Sequence, residues 1–233
     1  MIKLSERLQA IAGFIEKGSS VADIGTDHGY LPVYLAQTGT ARRVIASDIS
    51  EGSLKTARAS ARKHGLSDMI RFVLASGLAG VAESEADTIV IAGLGGETIA
   101  AILEDAPWTR REDVSLILQP QTKVSELCLY LRLHGYSLRG AKLALDGGRL
   151  YVVLLVSGSK PDSALEPYVE LLTRLMQSND PLLPRYLDDL ITRTSRALEG
   201  MKNDGAADVL ETALKLSVYI SIKEVYESAE KAM

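Results

Sequence analysis

Residues 21–30 read Val21-Ala22-Asp23-Ile24-Gly25-Thr26-Asp27-His28-Gly29-Tyr30, and the rest of the chain is best interpreted outward from them. Val21 to Ile24 suit a short buried strand, and a helical pattern opens near Tyr30. The glycines between them let the backbone approach a ligand closely. A carboxylate closes the next apolar run, Asp48 in Ile45-Ala46-Ser47-Asp48-Ile49, 23 residues after Gly25. That is near the spacing at which an acidic side chain at a strand end meets a ribose diol. The pyrophosphate fingerprint G-x-G-x-x-G is absent, because Thr26-Asp27 follow Gly25.

Strand-like and helical patterns alternate on either side of this segment. Strands are expected at Val44–Asp48, Ile70–Leu74, Thr88–Ala92 and Leu116–Leu118. Helices are expected at about Glu51–His64, from Gly96 through Leu103, and at Val124–Leu133. Such alternation builds a mostly parallel sheet covered by helices. Tyr136–Leu145, a turn at Asp146-Gly147-Gly148, and Leu150–Val156 then predict an antiparallel hairpin. An α/β sheet closed by such a hairpin is the layout of the Rossmann-like class I methyltransferases, an inference at the level of fold alone.

Ser157-Gly158-Ser159-Lys160-Pro161 reads as a linker, giving a catalytic domain at 1–158 and a small all-α domain at 159–233. In the latter a helix is expected at about Leu165–Met176. Leu183, Leu187, Leu190, Thr194, Ala197 and Met201 alternate spacings of four and three, a seam of coiled-coil type. Val209, Ala213, Leu216 and Ile220 repeat it after a turn at Asn203-Asp204-Gly205, predicting two antiparallel helices with paired seams.

Composition narrows the function classes. The 233 residues carry a net charge of −4; residues 1–158 hold 17 basic and 17 acidic side chains, so the tail carries the whole excess. Binding of nucleic acid would therefore need a local basic face on the first domain. No apolar run nears the roughly 20 residues of a membrane helix. The opening MIKLSERLQAIAGFI is amphipathic rather than a secretory leader, and the lone Cys128 lies between leucines as an inert core residue. No Cys/His zinc spacing occurs. A cytoplasmic, metal-free protein, monomeric and away from membranes, is expected.

S-adenosyl-L-methionine has no pyrophosphate; its methionine end is a zwitterion beside a cationic sulfonium. Asp23 ahead of the glycine turn suits it, by binding the ammonium or ordering the loop. In the general pattern [DE]-x-G-x-G-x-G the middle glycine is here Asp27, which either serves catalysis or substrate positioning, or caps the next helix. His28 is a substrate contact or a structural histidine. Ala92-Gly93-Leu94-Gly95-Gly96 replaces the [DN]-P-P-[YFW] motif of amino-methyltransferases. It either leaves room for a flat ring or serves helix packing.

Asp23-Ile24-Gly25-Thr26-Asp27-His28-Gly29-Tyr30-Leu31-Pro32, Ala92–Gly96 and Leu116-Ile117-Leu118-Gln119-Pro120 together resemble the bacterial TrmK family of tRNA (adenine(22)-N1)-methyltransferases. The resemblance covers about residues 1–157, and the helical tail corresponds to that family's coiled-coil domain. It implies that Asp27 is the catalytic aspartate, that Asp23, Gly25 and Asp48 hold S-adenosyl-L-methionine, and that Gly93–Gly96 face the target base. Thr26, Ile49, Ser76, Gly77 and Gly93 complete the expected cofactor contacts. Where many relatives have Gly-Asp-Gly-Leu, this chain has Ala75-Ser76-Gly77-Leu78, so Ser76 offers a hydroxyl in place of a carboxylate. Gly29, alanine in some relatives, reads as a harmless second helical position.

On this reading tRNA is the partner and His28, Tyr30, Leu94, Gly95 and Gly96 meet the substrate. N1 lies on the Watson–Crick edge, so the adenine must be exposed or flipped, with Tyr30 as a platform. Arg58 and Arg62 share a helix face and are the expected phosphate contacts; Arg42-Arg43, Lys63 and Arg110-Arg111 are further basic clusters. The competing readings are a methyltransferase acting on a small molecule or protein, and a non-enzymatic binding module of the same fold.

Overall fold

Strands β1 (Ser19–Ile24), β2 (Ala41–Asp48), β3 (Ile70–Leu74), β4 (Thr88–Leu94), β5 (Ser115–Pro120), β6 (Tyr136–Asp146) and β7 (Arg149–Gly158) form one sheet in a computed structural model that describes residues 2–159, 165–201 and 205–231. The order is β3-β2-β1-β4-β5-β7-β6. Pairings from β3 through β5 are parallel, while β7 pairs antiparallel with β5 and β6. All six residues of β1 are buried, as a central parallel strand requires. Because β2 and β4 flank β1, the winding reverses there, and a crevice opens at the carboxyl ends of β1 and β4.

Helices α1 (Glu6–Ala12), α2 (Tyr30–Thr38), α3 (Glu51–Lys63), α4 (Gly96–Glu104) and α5 (Val124–Leu133) accompany the sheet. Ser50 Oγ accepts the Ser53 N–H at 3.2 Å and caps α3, two residues after the Asp48 strand end. Ile11, Leu35, Val44, Val90, Ile117 and Val153 belong to one buried cluster. Burying each such side chain stabilises the fold by roughly 1.5–3 kcal/mol. The hairpin turns on Gly147 and Gly148, with φ of 54° and 80°. A two-residue turn of this hand needs positive φ at both positions.

Two boundaries differ from expectation. Ser157 and Gly158 continue β7 instead of opening a linker, because Ser157 pairs with both Ser115 and Ser137. A Cβ on Gly158 would overlap the Arg110 carbonyl, so this glycine permits a close backbone approach. Lys160 and Pro161 of the expected linker lie outside the described residues. Gly29 is the N-cap of α2, not its second residue, with φ of 68°.

The chain divides into two compact units, Met1–Leu171 and Leu172–Met233, the division falling inside α6 (Pro167–Gln177). In the second unit α7 (Leu183–Gly200) and α8 (Ala206–Lys231) run antiparallel, since Asp188 near the start of one pairs with Lys223 near the end of the other. Leu183 and Leu187 are buried and Leu190 and Thr194 half-buried, as the seam predicts. Ala197 is exposed and Leu198 turns inward in its place. On α8, Tyr219 and Tyr226 are buried while Ile220 is exposed. A straight helix drifts about 20° per heptad against a strict repeat, which moves the inward face of α7 one residue forward; that drift has the wrong sign for α8, where Tyr219 replaces Ile220 on the inward face. Asn203 and Asp204 of the expected turn are outside the described residues.

Candidate active site

The first loop is tied to the neighbouring strand before any side chain acts. The N–H groups of Gly25 and Thr26 both donate to Ser47 O, at 2.8 and 3.0 Å, and Gly29 N–H donates to Thr26 O at 2.9 Å. The turn so formed places Gly25 at φ 76° and Asp27 at φ 50°. A non-glycine residue in that region costs of order 1–3 kcal/mol and persists where its surroundings over-determine it. The restraint is visible: Asp27 N–H donates to Asp48 Oδ2 at 3.1 Å, and Asp48 Oδ1 accepts Ser50 N–H at 2.8 Å. The helix-capping alternative for Asp27 finds no support, because Gly29 is the cap and no side chain bonds there.

These loops border a cleft of about 780 Å³ at the switch point of the sheet. The first loop contributes Asp23, Gly25, Thr26, Asp27, His28 and Tyr30. Asp48 and Ile49 come from the end of β2, Ser76 and Gly77 from the segment after β3, and Gly93 and Leu94 from β4. Sequence-distant candidates are thus brought into one cavity. Gly95 and Gly96 do not line it. Gly96 N–H donates to Thr122 O at 3.0 Å, and a Cβ there would stand 2.6 Å from Lys123 O, so its place is in packing. Arg58 and Arg62 also lie off the cleft: Arg58 pairs with Glu51 Oε1 at 2.8 Å and covers the Phe72 ring, while Arg62 is exposed one turn on. Arg42, Arg110 and Arg111 pair with Asp87, Glu104 and Asp113.

Asp23 is buried, and burial pushes its carboxyl up to about 6; the Thr26 hydroxyl opposes the rise, Asp48 adds to it, and Arg7 opposes it. Thr26 Oγ1 is itself buried without a partner in hydrogen-bond geometry. At the mouth, the Asp27 side chain is 70% exposed, with Oδ2 3.6 Å from His28 Nε2. The His28 and Tyr30 rings lie 5.4 Å apart at 40°, forming a tilted ledge. Ile49, 75% exposed, presents an apolar surface to the cleft.

This donor set fits a zwitterionic adenosine compound. A buried carboxylate suits an ammonium, Asp48 keeps lone pairs for a diol, and Ile49 offers a face to a base. A Cβ on Gly25 would have Leu94 Cδ1, at 4.0 Å, as its nearest neighbour, so the missing side chain leaves cleft space open. No cluster of three metal-ligating side chains occurs among the described residues, and none of their helices is long and apolar enough to cross a membrane.

The sequence reading missed one wall. Lys3, Ser5, Arg7 and Leu8 line the cleft, as do Thr98, Ile102 and Gln121. The available signal was the pair of cations on the polar face of MIKLSERL, which that reading treated only as an amphipathic helix.

A family model described as "Methyltransferase domain" matches residues 4–154. A tRNA (adenine(22)-N(1))-methyltransferase of Bacillus subtilis is 36% identical over 165 residues, covering 71% of this chain and 69% of the relative. A Streptococcus pneumoniae structure in complex with S-adenosyl-L-methionine superposes with a TM-score of 0.81 at 28% identity, covering 95% of this chain and 100% of the other. The structure of M. capricolum TrmK with S-adenosyl-homocysteine gives 0.79 at 27% identity, covering 96% and 99%.

Proposed function

The chain belongs to this family of TrmK methyltransferases, and on that premise we propose that it methylates N1 of adenine 22 in tRNA, using S-adenosyl-L-methionine. The observation that carries the reading is Asp27, held in left-handed backbone at the cleft mouth by the same carboxylate that closes β2.

Asp23 would hold the ammonium of the cofactor and Asp48 its ribose hydroxyls. Ile49 would pack on its base and Ser76 meet the base's amine, and Gly25, Thr26, Gly77 and Gly93 would let the backbone come close. When bound, the cofactor supplies an electrophilic methyl group on a cationic sulfur. Adenine N1 carries an in-plane lone pair and no proton, so no general base is required to expose it. Asp27, ionised, accepts a hydrogen bond from the N6 amine and offsets the positive charge that develops on the ring. Its exposure at the mouth leaves the carboxylate free to meet a base arriving from solution. His28 and Tyr30 form the ledge that receives a flipped adenine, and Leu94 bounds the other side. Further acceleration would come from the cleft holding the adenine close to the methyl group that the bound cofactor would supply.

Phosphates of the tRNA are met by Arg58 and Arg62 on α3, outside the cleft. The chain acts as a monomer in the cytoplasm, where its tRNA substrate resides. The decisive experiment incubates the chain with unmodified tRNA and methyl-labelled cofactor and maps the label. N1-methyladenine at position 22 is expected; label on another nucleotide, or none, rejects the assignment.

A further inference from the structure

Two glutamines bracket Pro120 at the end of β5, and their surroundings differ. Gln119 is fully buried and uses both ends of its carboxamide: Nε2 donates to Pro120 O at 2.8 Å, and Oε1 accepts Arg7 Nη1 at 3.0 Å. Gln121 lines the cleft and is exposed, and its carboxamide makes no hydrogen bond among the described residues. Its backbone is nevertheless fixed from two sides. Gln121 N–H donates to Leu94 O at 2.8 Å, and the next carbonyl, Thr122 O, accepts Gly96 N–H at 3.0 Å. The pairing of β4 with β5 also shifts register between Ala92 and Leu94, so Gly93 is an extra residue of the kind that re-aims a strand end. A Cβ on Gly93 would stand 3.7 Å from Gln121 Nε2; without it the carboxamide is open to the cleft. A clamped backbone limits the freedom this side chain gives up on meeting a ligand.

The sheet order puts β4 between β1 and β5. Asp27 follows β1 and Gln121 follows β5, so they flank the β4 end on strands roughly 9.5 Å apart, twice the usual spacing. We propose that Gln121 reads the Hoogsteen edge of the target adenine, with Oε1 accepting the N6–H on the N7 side and Nε2 donating to N7. The inference rests on the proposed function, in which Asp27 takes the other N6–H. A carboxamide carries one acceptor and one donor side by side, the complement of the N6–H and N7 pair of adenine. Guanine shows two acceptors, O6 and N7, along the same edge, so Oε1 would face an oxygen. With both N6 hydrogens held, the ring cannot turn in its own plane, which fixes where N1 points. Gln121 is thus a specificity residue. Gly95 and Gly96, which lie off the cleft, serve it by allowing the close approach that holds its loop.

The test compares tRNA carrying adenosine or 7-deazaadenosine at position 22, assembled from synthetic fragments, in initial-rate assays of the full chain. Replacing N7 by C–H also changes the basicity of N1. The quantity read is therefore the ratio of kcat/KM on the two substrates, compared between wild type and Gln121→Leu. That ratio should be roughly tenfold larger in wild type, the scale of one hydrogen bond to a desolvated acceptor. Gln121→Leu should bind S-adenosylhomocysteine as wild type does in calorimetry. Gln121→Glu, nearly isosteric and able only to accept, should lower the ratio at least as far, and it carries the comparison if the leucine variant does not fold. Equal ratios in wild type and variants overturn the proposal; weakened S-adenosylhomocysteine binding alongside them would make Gln121 a cofactor contact. Absence of methylation at position 22 by wild type would instead reject the proposed function, a result distinct from equal ratios on an active enzyme.

Discussion

Replacing Asp23 by Asn should make the cofactor-free protein more stable and its cofactor site worse. The carboxyl goes from an ordinary value of 3.8 to about 6 on folding, chiefly because it is buried. A carboxyl so raised holds its proton more tightly in the folded chain, so folding is favoured below the unfolded value and loses stability as pH climbs through the folded one. A shift of about 2 units corresponds to about 3 kcal/mol, fully lost at pH 7.5, with about 1 kcal/mol already lost at pH 4.5. Asn keeps the shape and carries no charge, so it should recover up to these amounts. Urea unfolding followed by Trp108 fluorescence measures them, since this single tryptophan lies in the short turn Pro107–Arg110 of the same unit. Calorimetry on the same variant should show S-adenosylhomocysteine bound at least roughly tenfold more weakly, because the ammonium loses its ionic acceptor. A variant less stable than wild type at pH 7.5, or one whose gain does not change with pH, would refute the burial argument.

Asp27→Ala should keep S-adenosylhomocysteine affinity and lose roughly 100- to 1000-fold in kcat, the scale of one displaced electrostatic stabiliser; full turnover on tRNA would remove Asp27 from the chemistry. Gly29→Ala should destabilise the fold by roughly 1–3 kcal/mol, since φ is 68° and the new Cβ would meet Ala57 Cβ at 2.8 Å; an unchanged urea midpoint would contradict that. Substituting Arg58 and Arg62 together by Ala should lower the salt slope of tRNA binding by roughly 2, and a slope equal to that of wild type would place the phosphate contacts elsewhere.

Most of the sheet was legible because strand ends coincide with chemistry that sequence displays. Ile70–Leu74 and Val124–Leu133 fall where the apolar pattern puts them. The Gly147-Gly148 pair announces its own turn. The cleft loops were legible for a related reason: glycines and carboxylates stand at fixed distances after strands. Arg7 as a cleft residue was not, because it is held by Gln119, a partner 112 residues away, and local pattern carries no trace of such a contact. Gly95 and Gly96 look like nearby Gly93, yet the approach of Thr122 and Lys123 separates packing from lining. Ser157 and Gly158 have linker composition, and only their strand partners identify them as β7. On α7 the inward face moves from Ala197 to Leu198 because the period of a helix and that of a heptad differ slightly.

Asp48 accepts backbone amides on both oxygens, one in the loop after β1 and one at the start of α3. An asparagine there would point an NH₂ group at one of those amides, so the nearest isostere is also a poor replacement. Loss of this one carboxylate would release Asp27 from its strained turn and, on the proposed function, strip the ribose of its acceptor. The enzyme therefore has no gentle route from a weakened cofactor grip to a weakened chemical step: at this position both fail together.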